Sequence, residues 1–128
     1  MGKLLTLSFS AILLVAFVST AFAQSFAGSY RVSGTSPTGE TYDGTVRISI
    51  SKHGGCRMQG VIESIPVNAA CFPRGHNLKA AYRRRGRLVR VVYELTSDGS
   101  LNGSWTIAGT PGRGHEVLTP YARVAALR

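Results

Sequence analysis

The chain has 128 residues, with 15 Lys+Arg against 6 Asp+Glu, a formal charge of +9 and 44% apolar residues. That length holds one domain with a modest core and excludes a second. The basic surplus favours anionic partners and shapes solubility, but it carries no information about fold.

Lys3 precedes an apolar run from Leu4 to Val18, broken by Thr6, Ser8 and Ser10, and a small-x-small site follows at Ala21-Phe22-Ala23. A charged start, a short apolar core and that site describe an export signal peptide over residues 1–23, cleaved after Ala23. A retained anchor is the rival, but the run falls short of the roughly 18 to 20 residues that cross a bilayer. No cysteine stands at the cleavage point, which argues against a lipid anchor there. Cleavage leaves residues 24–128 as a single domain and, by removing Lys3 alone, lowers the charge from +9 to +8.

From here the recurring signal is alternation, with no long helical period. "GSYRVSG" (Gly28 to Gly34) predicts an opening strand, and "TSPTGE" a Pro/Gly loop. "TYDGTVRISI" then sets Tyr42, Gly44, Val46, Ile48 and Ile50 on one face and Asp43, Thr45, Arg47 and Ser49 on the other. "RMQGVIES" repeats the design through Met58, Gly60 and Ile62, and "IPVNAACF" predicts a short strand carrying Cys71. "NLKAAYRR" alternates Leu78, Ala80 and Tyr82 against Lys79, Ala81 and Arg83. "LVRVVYEL" puts Val89, Val91, Tyr93 and Leu95 inward. After the Asp98-Gly99 turn, "SLNGSWTI" faces Leu101, Gly103, Trp105 and Ile107 inward. "HEVLTPYAR" completes the set, with Pro120 marking its end as an edge.

Gly44, Gly60 and Gly103 share one motif, apolar-x-Gly-x-apolar, on the inward phase. Inward glycines mark bends or close backbone approach, which a small sheet needs in order to curl and close. About eight short strands with sequential hairpins predict an antiparallel up-and-down barrel, with a β-sandwich as the alternative. Outward positions carry Asp43, Arg47, Lys79, Arg83 and Glu94, not the lipid-facing band of an outer-membrane barrel.

Both cysteines, Cys56 and Cys71, lie in the exported part, where a lone pair forms a disulfide. The competing arrangement is a four-ligand metal set, His53-x2-Cys56-x14-Cys71-x4-His76, whose order matches no common zinc finger. Catalytic signals are weak. Ser49-x-x-Lys52 falls at a strand end rather than a helix start, and "GTPGRGHE" has neither the spacing nor the helix of a phosphate loop. His115 and Glu116 are adjacent, so on a strand they point to opposite faces and form no dyad.

Two sets of residues remain as candidates. Tyr42, Tyr93 and Trp105 face inward, where they either fill the core or line a pocket for a small apolar ligand. Arg83, Arg84, Arg85, Arg87 and Arg90 crowd one hairpin, the first four within a single turn, at a cost in self-repulsion that a solvated tip does not need. Arginine forks recognise phosphate, sulfate and carboxylate groups, and pairing with Glu63 or Glu94 is the remaining explanation.

The strand motifs "GSYRVSG", "TYDGTVRISI", "DGSLNGSWTIAG" and "GHEVLTP" resemble a family of small exported bacterial proteins of poorly known function. That family is frequent in rhizobia and their relatives, and some members are labelled fibronectin-binding. The likeness covers most of Gly28 to Pro120 but departs in the Cys56 to Cys71 segment and the arginine knot. What the resemblance implies is a β fold and export, with no catalytic residue carried over.

These readings predict a periplasmic or secreted, non-enzymatic binding module that needs no cofactor. Its basic hairpin engages an anionic envelope or host-surface component: lipopolysaccharide, an acidic lipid or a glycan. The alternatives are a carrier or sensor for a small apolar ligand, or an inhibitor acting on an exported enzyme as protein partner. Nucleic acid is not an expected partner, because the arginines lack interleaved exposed aromatics for base stacking. No transmembrane span is expected after signal cleavage.

Overall fold

The computed structural model describes residues 26–121, so the predicted signal peptide and its cleavage point lie outside the described residues. Eight strands follow in order: β1 (Gly28–Thr35), β2 (Thr41–Ile50), β3 (Cys56–Ile62), β4 (Ile65–Arg74), β5 (Asn77–Arg84), β6 (Arg87–Leu95), β7 (Leu101–Ile107) and β8 (Gly114–Pro120). Each pairs antiparallel with its chain neighbour, and β1 pairs with β8 to close an up-and-down barrel rather than a sandwich. Among the described residues no helix is long and apolar enough to cross a membrane.

The turns follow from local chemistry. Arg85 and Gly86 take φ of 51° and 79°, the left-handed pair that a two-residue hairpin with the right twist requires. At the opposite end, Thr96–Ser100 closes through Thr96 N–H to Ser100 O at 2.9 Å, with Gly99 at φ 86°. Pro120 sits at the end of β8, beyond the last β7 pair, Leu101↔Leu118, and faces Tyr30 of β1. The predicted edge is therefore a sealed seam. A proline is tolerated there because one side of it has no ladder partner.

Closure depends on two of the inward glycines. Gly60 lies opposite Val46, and Gly44 opposite Ile62. A Cβ on Gly60 would stand 2.7 Å from the Val46 Cα and collide with the Thr45 carbonyl; one on Gly44 would meet Val61 O at 2.5 Å. β2 and β3 thus coil closely around each other where no side chain intervenes. Inside, Val32, Ile48, Met58, Leu78, Val89 and Leu118 are among the fully buried core residues. Phe26 caps the end away from the arginine hairpin side, held by the Tyr30 hydroxyl donating to its carbonyl at 2.7 Å.

Cys56 and Cys71 are direct cross-strand partners of β3 and β4, with Cα atoms 4.9 Å apart, and they form the disulfide. With both sulfurs bonded, the competing His53, Cys56, Cys71, His76 set has no thiolate to offer a metal. A formed disulfide is the chemistry of an oxidising, non-cytoplasmic compartment.

Two stability measurements test this frame. Cys56→Ser with Cys71→Ser should lose about 3 kcal/mol in urea unfolding, the loop-closure value for a separation of 15 residues. Gly60→Ala should lose about 2–3 kcal/mol through overpacking against backbone. A neutral result at Gly60 would mean that β2 and β3 do not approach this closely.

Candidate functional site

Strand parity decides where each arginine of the hairpin goes. Leu78, Ala80 and Tyr82 occupy the inward positions of β5, and Arg84 is next in that phase; Arg87 precedes Val89, Val91 and Tyr93 on β6. Arg84 and Arg87 are cross-strand partners, so both stand over the barrel mouth with Arg85 at the tip between them. Arg83 and Arg90 have the opposite parity and lie exposed on the outer wall. The five residues of the predicted cluster therefore divide into three at the mouth and two outside.

The mouth is an open cavity of about 840 Å³. Arg84, Arg85 and Arg87 line it together with Tyr42, Trp105 and the Pro37–Thr38 loop. Glu40 and Glu63 also line it, leaving one positive charge in excess. Arg87 donates to Thr110 Oγ1 at 3.1 Å, which braces it against the β7–β8 loop. Arg84 lies 3.9 Å from Glu63, a partly exposed pair of little energetic weight. Its guanidinium is only loosely committed.

Beneath the mouth lies a polar cluster inside the apolar barrel. Trp105 Nε1 donates to the Tyr42 hydroxyl at 2.7 Å, and that hydroxyl donates to Glu116 Oε1 at 2.7 Å. The Tyr93 hydroxyl donates to Glu116 Oε2. Tyr42 and Trp105 meet edge to face, centroids 6.2 Å apart. Glu116 itself is only 6% exposed.

The sheet register explains how two tyrosines reach one carboxylate from opposite sides. Tyr42 on β2 is paired with Gly34 on β1, and Gly34 with Glu116 on β8. On the other flank Glu116 is paired with Gly103 on β7, and Gly103 with Tyr93 on β6. Each tyrosine ring lies across a glycine to its carboxylate oxygen. A Cβ on Gly103 would stand 2.7 Å from the Tyr93 ring, and one on Gly34 would collide with Tyr42. Trp105 is seated the same way over its partner Gly114.

Burial pushes the Glu116 carboxyl above the ordinary carboxylate range, while the hydrogen bonds from Tyr93 and Tyr42 pull it back. Burial and the Glu116 charge together raise Tyr42 and Tyr93, so both phenols remain protonated donors. Tyr82 is pushed up to about 12, chiefly by burial. Tyr82, Arg84 and Glu116 border an internal void of about 10 Å³, space for a single water.

Of the predicted aromatics, Tyr42 and Trp105 floor the mouth, whereas Tyr93 is buried below them as a Glu116 donor. Glu116 was legible only as a residue facing away from His115. The stronger signal was its phase: Gly114, Glu116 and Leu118 share the inward face, which sets a carboxylate among core positions. Comparison of the chain with protein-family models and with curated proteins gives no match.

Glu116→Gln tests the cluster. A folded-state pKa raised above the unfolded value contributes stability that is full below about pH 4 and lost as pH rises through the folded value. Unfolding free energies of wild type and Glu116→Gln should therefore differ in a pH-dependent way, with wild type gaining on the variant as pH falls. A difference independent of pH would show that Glu116 titrates normally.

Proposed function

We propose that the protein is an exported, periplasmic or secreted, non-enzymatic binding module whose barrel mouth takes an anionic ligand from the cell envelope or a host surface. One observation carries this reading: Arg84, Arg85 and Arg87 line the same open cavity as Tyr42 and Trp105. Guanidinium forks supply charge-assisted hydrogen bonds to a carboxylate, sulfate or phosphate. The aromatic floor supplies apolar contact and excludes water beneath them. The disulfide and the charged start, short apolar run and small-x-small site over residues 1–23 support export.

A carrier holding an apolar ligand deep within the barrel has less in its favour. Tyr93, Val89 and Leu118 fill the interior, and the void under the mouth has room for about one water.

Trp105 is the sole tryptophan and borders the mouth, so its fluorescence reports occupancy directly. Titration of the mature protein with a panel of lipopolysaccharide, acidic vesicles and a sulfated glycan should reveal binding that weakens with salt. Arg84→Ser, Arg85→Ser, Arg87→Ser should weaken it about 100-fold, the loss of roughly two charge-assisted contacts. A charge-matched control, Arg31→Ser, Arg47→Ser, Arg90→Ser, removes only outer-wall residues and should retain most of the affinity. Equal losses in both triple variants would reduce the effect to net charge and overturn the reading.

A further inference from the structure

Tyr42 and Trp105 form the floor of the mouth, and immediately beneath them Glu116, Ile62 and Val89 close the barrel around a void of about 10 Å³. An anionic amphiphile that threads its tail into a barrel needs a continuous apolar channel. Here Tyr93, Val91, Met58 and Leu78 occupy that path, all nearly or fully buried. Any ligand of this mouth must lie across the floor.

The charged groups narrow the ligand further. Glu40 and Glu63 share the cavity with the three arginines, Glu63 at 3.9 Å from Arg84, so a plain anion meets repulsion from the carboxylates as well as attraction from the guanidiniums. A ligand that offers hydroxyl donors to the carboxylates and an acid group to the guanidiniums satisfies both kinds of group. The excess of one positive charge in the lining matches a ligand with one negative charge per binding unit. Ser36, Thr38 and Thr110 add hydroxyls around the rim, each with a partner within the protein and capacity for a further bond that an alkyl chain does not supply.

We infer that the ligand is an acidic saccharide, a sugar ring bearing a carboxylate or a sulfate ester, bound flat over Tyr42 and Trp105 with its acid group toward Arg85 and Arg87 and its hydroxyls toward Glu40 and Glu63. This inference rests on the mouth being the ligand site, as proposed above. It assigns the saccharide portion of an envelope or surface component, not its acyl portion, as what is recognised.

The experiment follows Trp105 fluorescence and calorimetry on the mature protein with four probes. These are a hexuronate oligosaccharide, its neutral hexose counterpart, a series of alkanoates of increasing chain length, and a zwitterionic peptide. The hexuronate should bind at least tenfold more tightly than the neutral sugar and than every alkanoate, and alkanoate affinity should not rise with chain length. Glu40→Ala should lower the hexuronate-to-alkanoate affinity ratio about tenfold, the weight of one charge-assisted hydrogen bond. Alkanoate affinity that climbs about fourfold per added methylene would place a tail in the barrel and overturn the inference. So would tighter binding of the zwitterionic peptide than of the hexuronate. In either case retained dependence on Arg84, Arg85 and Arg87 would leave the mouth standing as an anion site. If no probe binds in a manner that depends on those arginines, the site proposal itself falls, and this inference with it.

Discussion

A carboxylate inside a small barrel must receive hydrogen-bond donors from the barrel wall, since bulk water does not reach it and an unpartnered buried charge costs several kcal/mol. Glu116 meets that requirement through a five-residue row: Tyr42, Gly34, Glu116, Gly103 and Tyr93 on five consecutive strands of the closed sheet. The two glycines are as necessary as the two tyrosines. With a side chain at either position, the phenol that crosses it could not reach its oxygen. The row also ties β2 and β6 to β8 by side-chain hydrogen bonds, the Tyr42 bond spanning the β1–β8 seam where the barrel closes and the Tyr93 bond spanning β7.

The same network shapes the mouth. The Tyr42 hydroxyl donates a hydrogen bond to Glu116 and accepts one from Trp105 Nε1, so the orientation of both floor rings is set by a carboxylate one layer below. A floor held by the protein's own hydrogen bonds is preorganised, and preorganisation of that kind lowers the ordering cost of any contact made to it. Above it the arginines differ in their restraint. Arg87 is braced by Thr110, while Arg84 rests at the edge of ion-pair distance from Glu63.

Parity explains why an arginine-dense hairpin is not one uniform basic patch. The two-residue turn places Arg84 opposite Arg87, and because side chains alternate along each strand, their neighbours Arg83 and Arg90 go to the outer wall. Self-repulsion is eased by that division and by the two glutamates that share the cavity, Glu63 beside Arg84. The cluster has the character of a mixed-charge rim with a positive excess, a surface suited to selectivity more than to raw attraction.

Much of the fold was readable along the chain. The phase of Val46, Ile48, Met58, Val91 and Tyr93 predicted which residues are buried, and the inward glycines predicted the curvature that Gly44 and Gly60 permit. Cys56 and Cys71 announced their disulfide through composition alone. These features are local, because alternation, turn chemistry and cysteine pairing depend on residues near in sequence or few in kind. The site was not local. Trp105 meets Tyr42 across a separation of 63 residues, and Tyr42 meets Glu116 across 74. Those contacts require β1 to find β8 and the register to align each tyrosine with a glycine. By itself the sequence determined an eight-strand alternating pattern, its inward face and its basic hairpin. Closure of the barrel decided that the hairpin overlooks the aromatic floor and that a carboxylate lies beneath it, because only the register of distant strands brings those side chains into one row.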